Sequence, residues 1–165
     1  MSKQFPHPFS GMAGRYRRFR RDLPRIASVM ALNEFKGNFR RQGFRTRAGN
    51  VEKWAPRKRL ANGRAILIQT GRLRRALKAA PTYQFARVVN NTPYAAIHNR
   101  GGRIKGEMQA LSSNLRSKMA RMRPSGQPAM MPARPYMMGT KPLVDDISKE
   151  ILTGLGEVFN GGKSA

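Results

Sequence analysis

Cysteine is absent from this 165-residue chain, histidine occurs twice, and Asp and Glu together number only 8. Without thiols there are no disulfides, no thiolate nucleophile and no finger or ribbon type of zinc site, so packing alone must hold the fold. His7 sits in a basic N-terminal stretch and His98 far along the chain; a two-histidine metal site would require that stretch to fold back, and neither metal nor cofactor is expected. The scarce carboxylates lean towards the C-terminus, where "DDISKE" places Asp146 and Glu150 four apart on one helical face. Paired carboxylates can hold Mg²⁺, but acidic residues in a first helical turn also meet the helix dipole favourably, and nothing completes a nuclease constellation. No nucleophile elbow is present, and "GRIKGE" and "TGRLRR" lack the Gly-Lys-Ser/Thr end of a triphosphate loop. Enzyme activity is not expected. No apolar run approaches the roughly 18 to 20 residues that span a bilayer, and no signal-type apolar region follows the basic N-terminus. The expectation is a protein made and used on the cytoplasmic side, with no membrane partner.

What the chain does have is positive charge. Its 33 Lys and Arg give a formal net charge of +25, far beyond what solubility requires. A negative partner is implied: nucleic acid, through phosphate neutralisation and counterion release, or acidic neighbouring subunits. The basic residues run through the N-terminus, the loops and the first two-thirds of the chain rather than along one groove-reading helix. Base readout is therefore not supported, and contact with phosphate or with acidic subunits stays open.

The length suits one domain. Residues 1–22 close with "RYRRFRRD", too polar to order themselves, and are expected to form a basic arm. Its Arg15, Arg17, Arg18, Arg20 and Arg21 are candidate contacts for DNA or an acidic neighbour, and deleting residues 1–21 is expected to block assembly without unfolding the rest. A single α+β domain is expected over residues 23–160, with an insertion at 103–130 and a tail at 161–165. Its first helix is expected over about 24–42, from Leu23, Ile26, Met30 and Phe39 at helical spacing, start signals at Asp22 and Pro24, and a stop at Gly43. Residues 44–64 read as a basic loop, with Trp54 expected to anchor it on the core. "AILIQ" (65–69) and "TYQFARVVN" (82–90) read as strands, "TGRLRRALK" between them as one or two helical turns, and "YAAIH" as a short strand or a single helical turn. Short connections favour an antiparallel meander. In the insertion, Met108, Leu111, Leu115, Met119 and Met122 fall three and four apart, which predicts an amphipathic helix near 106–122 whose Met-rich face suits a neighbouring subunit. "MPARPYM" (131–137) must be extended. A last helix starts at Thr140 or Lys141, with Pro142 in its first turn, and ends at Asn160 and Gly161.

Taken in order, these motifs resemble the phage virion morphogenesis family, the Mu-type tail completion proteins, over about residues 24–159. A Leu-x-x-Thr-Gly-x-Leu turn is matched by Leu67, Thr70, Gly71 and Leu73; a Tyr-Ala-x-x-His step with a glycine pair by Tyr94, Ala95, His98, Gly101 and Gly102; and a Pro-Ala-Arg-Pro-aromatic segment by Pro132, Ala133, Arg134, Pro135 and Tyr136. The resemblance implies a structural virion protein: a homo-oligomeric ring, hexameric by analogy, at the head-proximal end of the tail. Its implied partners are the tail tube and the head connector, with DNA passing through the channel. A basic ribosomal or nucleoid type of nucleic-acid-binding protein is the rival reading. His98 is expected to be a scaffold group, hydrogen-bonded to backbone or to an adjacent subunit.

Overall fold

The computed structural model describes residues 11–47, 49–56, 65–103 and 130–160. Two long helices dominate it, α1 (Met12–Arg41) near the N-terminus and α4 (Lys141–Phe159) near the C-terminus. Between them come β1 (Gly43–Arg45), β2 (Val51–Lys53), α2 (Arg72–Arg75), β3 (Leu77–Ala79), β4 (Val88–Asn90), α3 (Ala95–Arg100), β5 (Gly102–Arg103) and β6 (Met130–Met131). The fold is α+β, as expected. In place of one meander the strands form three separate antiparallel pairs, β1 with β2, β3 with β4 and β5 with β6.

The helix expected from about residue 24 begins twelve residues earlier, at Met12. Residues 12–22 are thus the first turns of a packed helix rather than an extended arm. Pro24 lies inside α1 although proline removes a donor and normally starts or breaks a helix. Tertiary contacts override that local preference: Phe19 lies against Gly154, where a β-carbon would come within 2.3 Å of its ring, and Arg15 Nε donates to Val158 O at the end of α4 (3.1 Å). Deleting residues 1–21 would strip this packed surface, so the deletion does not separate assembly from stability.

The C-terminal half of α1 carries the core. Phe35 and Phe39 join Leu73 of α2, Leu77 of β3, Leu143 of α4 and, from the connecting segments, Trp54 and Tyr136 in one buried cluster. "AILIQ" is a turn, not a strand. Gln42, just past the end of α1, accepts from Ile66 N and donates to Ile66 O (3.2 Å) and Phe39 O (2.6 Å). Its amide thereby takes both main-chain groups that a neighbouring strand would have used, while Ile66, Leu67 and Ile68 wedge against the core. Within 82–90 only Val88–Asn90 is strand, and the β1–β2 hairpin, paired from Gly43 to Lys53, takes up most of the described part of the loop expected over 44–64. The "YAAIH" alternatives resolve to helix, α3. The expected Met-rich helix with Met108, Leu111, Leu115, Met119 and Met122 lies outside the described residues, as do His7 and the tail at 161–165.

Candidate functional site

The motifs "WAP", "YAAIHN" and "PARPYM" converge on one buried spot. Two prolines keep residues 132–136 extended, so their main-chain groups cannot satisfy one another and must find partners elsewhere. Side chains from α1, from α3 and from the residue after β2 supply them. Asn99 on α3 accepts from the N–H groups of Tyr136 (3.0 Å) and Met137 (2.9 Å) through one Oδ1, and its amide donates to Met137 O (3.3 Å). Asn38 on α1, fully buried, donates to Tyr136 O (3.1 Å), and the Trp54 indole N–H donates to Pro135 O (3.2 Å). The Tyr136 hydroxyl donates to Ala95 O (3.3 Å), and burial raises its pKa, so it is a neutral donor. Phe39 stands between the rings of Trp54 (5.7 Å, edge to face) and Tyr136 (5.1 Å).

Arg134 faces the other way. Its guanidinium is buried and donates to Ala55 O (3.2 Å) and Pro56 O (3.4 Å), which pins the loop after β2, while its N–H donates to His98 O (2.9 Å). Gly101 makes this approach feasible. Its φ of +71 is left-handed, and a β-carbon there would lie 2.6 Å from Ala133 N and 2.8 Å from Met131 O, both backbone atoms that cannot give way.

His98 stacks edge to face on Tyr94 at 5.7 Å. Burial first, and the Arg134 charge second, push its pKa down to about 4, so the ring is neutral at pH 7. Nδ1 is buried with no partner among the described residues, and the His98 main-chain carbonyl accepts from Arg134 N–H. No group of three or more metal-ligating side chains occurs among the described residues.

The remaining sequence-predicted residues sit elsewhere. Leu73 enters the core from α2, Gly71 immediately precedes that helix, and Thr70 Oγ1 is 3.4 Å from Arg72 N. Pro132 is exposed, and Gly102 pairs with Met131. Asp146, half of the carboxylate pair considered for a metal, is engaged by Arg45 Nη2 (2.6 Å), whose Nε reaches the buried Glu34 (3.0 Å); Glu34 also holds Arg41 (2.7 Å). This chain of charges joins α1, β1 and α4. Of the five candidate arginines, Arg15 is committed to α4, while Arg17, Arg18, Arg20 and Arg21 are exposed on α1.

Asn38, Asn99, Gln42 and Glu34 hold the structure together and were not singled out by sequence reading. Asn99 had one available signal: it sits inside the motif, between His98 and Gly101. For Asn38 the partner lies 98 positions away, and no local pattern announces it.

The described helices include none long and apolar enough to cross a membrane. Every motif residue that is buried makes packing or main-chain contacts, which is the pattern of a scaffold. No curated protein and no solved structure matches the chain. A family model does: the phage virion morphogenesis family matches residues 19–156, from the phenylalanine that meets Gly154 to the last turn of α4. With that match covering most of the chain, the clamp around Tyr136 included, the protein belongs to the phage virion morphogenesis family.

Proposed function

We propose that this chain is a non-enzymatic structural protein of a tailed-phage virion, forming a ring at the head-proximal end of the tail that caps the tail tube and joins it to the head connector. Family membership over residues 19–156 carries the reading. The charge supports it: a ring through which DNA passes needs a surface that tolerates phosphate, and Arg17, Arg18, Arg20 and Arg21 stand exposed on α1 in a chain of net charge +25. In this reading the Tyr136 clamp and the Glu34 charge chain keep each subunit rigid, and the arginine face of α1 meets DNA or an acidic neighbour.

Electron microscopy of lysates made without the protein is the test. Overlong tails separate from filled heads are expected, and normal particles assembled without the protein would overturn the proposal. The arginine face is tested separately by changing Arg17, Arg18, Arg20 and Arg21 to Gln, which leaves Arg15 and Phe19 in place. Assembly is expected to fail with stability retained, whereas full infectivity would remove the face from the mechanism.

The same exposed arginines favour a second reading, a monomer that binds nucleic acid. Non-specific binding that weakens steeply with salt follows from charge alone. Tight, salt-resistant binding of duplex DNA by the monomer would favour the second reading over the first.

A further inference from the structure

Two surfaces of the molecule match each other and cannot meet within one chain. The first is the tip of the β3–β4 hairpin. Thr82 N donates to Phe85 O (2.9 Å) and Phe85 N to Thr82 Oγ1 (3.1 Å), so the turn is fixed, yet it presents Tyr83 and Phe85 to solvent at 72% and 66% exposure. Two large rings held out on a hydrogen-bonded turn expose apolar area that an isolated subunit gains nothing from. Lys78 and Arg87 flank the tip, both exposed and without an ion pair among the described residues.

The second surface is a groove between α1 and α4, about 130 Å³ in volume, floored by Phe19, Leu23, Ile26 and Ile151 and rimmed by Glu150 and Glu157. An apolar cavity of about 150 Å³ holds a benzene ring, so the groove is the size of one aromatic side chain. Glu150 and Glu157 are exposed and form no ion pair among the described residues. Unpaired carboxylates are unexpected in a chain with 33 basic residues against 8 acidic ones. Their placement makes the groove an acidic, apolar socket of opposite sign to the hairpin.

The two surfaces lie on opposite sides of α1. The hairpin is fastened through Arg87 N to Ser28 Oγ (2.9 Å), and Ser28 follows Phe19 by about two and a half helical turns, which places it on the far face. A projection on one side and a socket on the other cannot close within a subunit or make a two-fold pair. They generate a head-to-tail contact that repeats into a ring or a filament.

We infer that the Tyr83–Phe85 hairpin tip of one copy docks in the α1–α4 groove of the next, with the Phe85 ring on the apolar floor and Lys78 and Arg87 facing Glu150 and Glu157. The inference rests on the ring reading above and assigns its subunit contact. Phe85 carries no polar atom and suits the floor; Tyr83 keeps its hydroxyl at the rim.

Because the chain has no cysteine, a pair introduced as Gln84→Cys on the tip and Thr153→Cys on α4, within one helical turn of Glu150 and Glu157, reports this contact alone. Oxidation of the full-length double variant is expected to give a ladder of disulfide-linked oligomers that stops at the closed ring, while each single variant gives dimers at most. Native mass measurement then follows Phe85→Ser and the pair Glu150→Lys, Glu157→Lys, all at exposed positions. Each is expected to weaken association about thirtyfold or more, and combining the second with Lys78→Glu and Arg87→Glu is expected to restore it. If the wild type assembles, Phe85→Ser assembles equally and no ladder forms, this contact is overturned while the ring reading stands. A wild type that stays monomeric alone and in purified tails overturns both.

Discussion

Around Tyr136, side chains hold main chain. Asn38, Asn99, Trp54 and Arg134 each reach a backbone group of a segment distant in sequence, and the rings of Phe39, Trp54 and Tyr136 fill the space between. Where the first half of α1 meets α4, the contact is an apolar layer with a groove left in it, and Arg15 Nε to Val158 O crosses it. The first region is determined at many points, so its geometry has one solution. The second is determined mainly by shape and leaves surface exposed, which suits a region completed by a neighbour.

Damage to the two regions must accordingly differ in size. Tyr136→Ala removes a fully buried ring and its contacts, and about 3 to 5 kcal/mol of stability is expected to go with it, read as the shift in a urea unfolding curve. Asn99→Ala leaves the buried N–H groups of Tyr136 and Met137 without acceptors, for a loss of about 2 to 4 kcal/mol in the same assay. A loss of about 1 kcal/mol or less instead, the size of one ordinary hydrogen bond, would show that the clamp is no more rigid than the helical layer.

His98 gives the clamp a pH dependence. Its pKa is held near 4 in the folded state against 6.5 unfolded, so the unfolded chain takes up the proton first. Its stabilising contribution is fully present above pH 6.5 and is lost as pH falls towards 4, roughly 2 kcal/mol for a ring that is partly exposed. Unfolding at pH 7.5, 5.5 and 4.5 should show this slope in the wild type and a shallower one in His98→Gln; equal slopes would mean that the imidazole is not buried neutral. The smallest effect belongs to the helical layer: Arg15→Ala removes one hydrogen bond at the end of α4, and about 0.5 to 1 kcal/mol is expected. A loss of several kcal/mol there would erase the contrast between the regions.

The contrast also accounts for what could be read from the sequence. α4 was legible from end to end, because Pro142 and the spacing of Leu143, Ile147, Ile151 and Val158 are local signals, and the helix does run Lys141–Phe159. The C-terminal half of α1 was legible for the same reason. Its N-terminal half was not: dense arginines and an internal Pro24 argue for an arm, and the opposing force comes from Phe19 meeting Gly154, 135 positions away. "AILIQ" has strand composition, but the residue deciding its conformation is Gln42, 24 positions earlier. In the clamp the motif residues could be named but not their partners. Asn38 and Asn99 carry no periodicity and earn their role only once residues 134–137 are laid against them.

The β5–β6 pair has a consequence of another kind. Gly102 lies opposite Met131 and Arg103 opposite Met130, so the chain departs and returns through one narrow doorway immediately beside the clamp. Pinned there, Gly101 stays against Ala133 and Asn99 stays in register with Tyr136, so two short strands act as a staple that closes the clamp from outside.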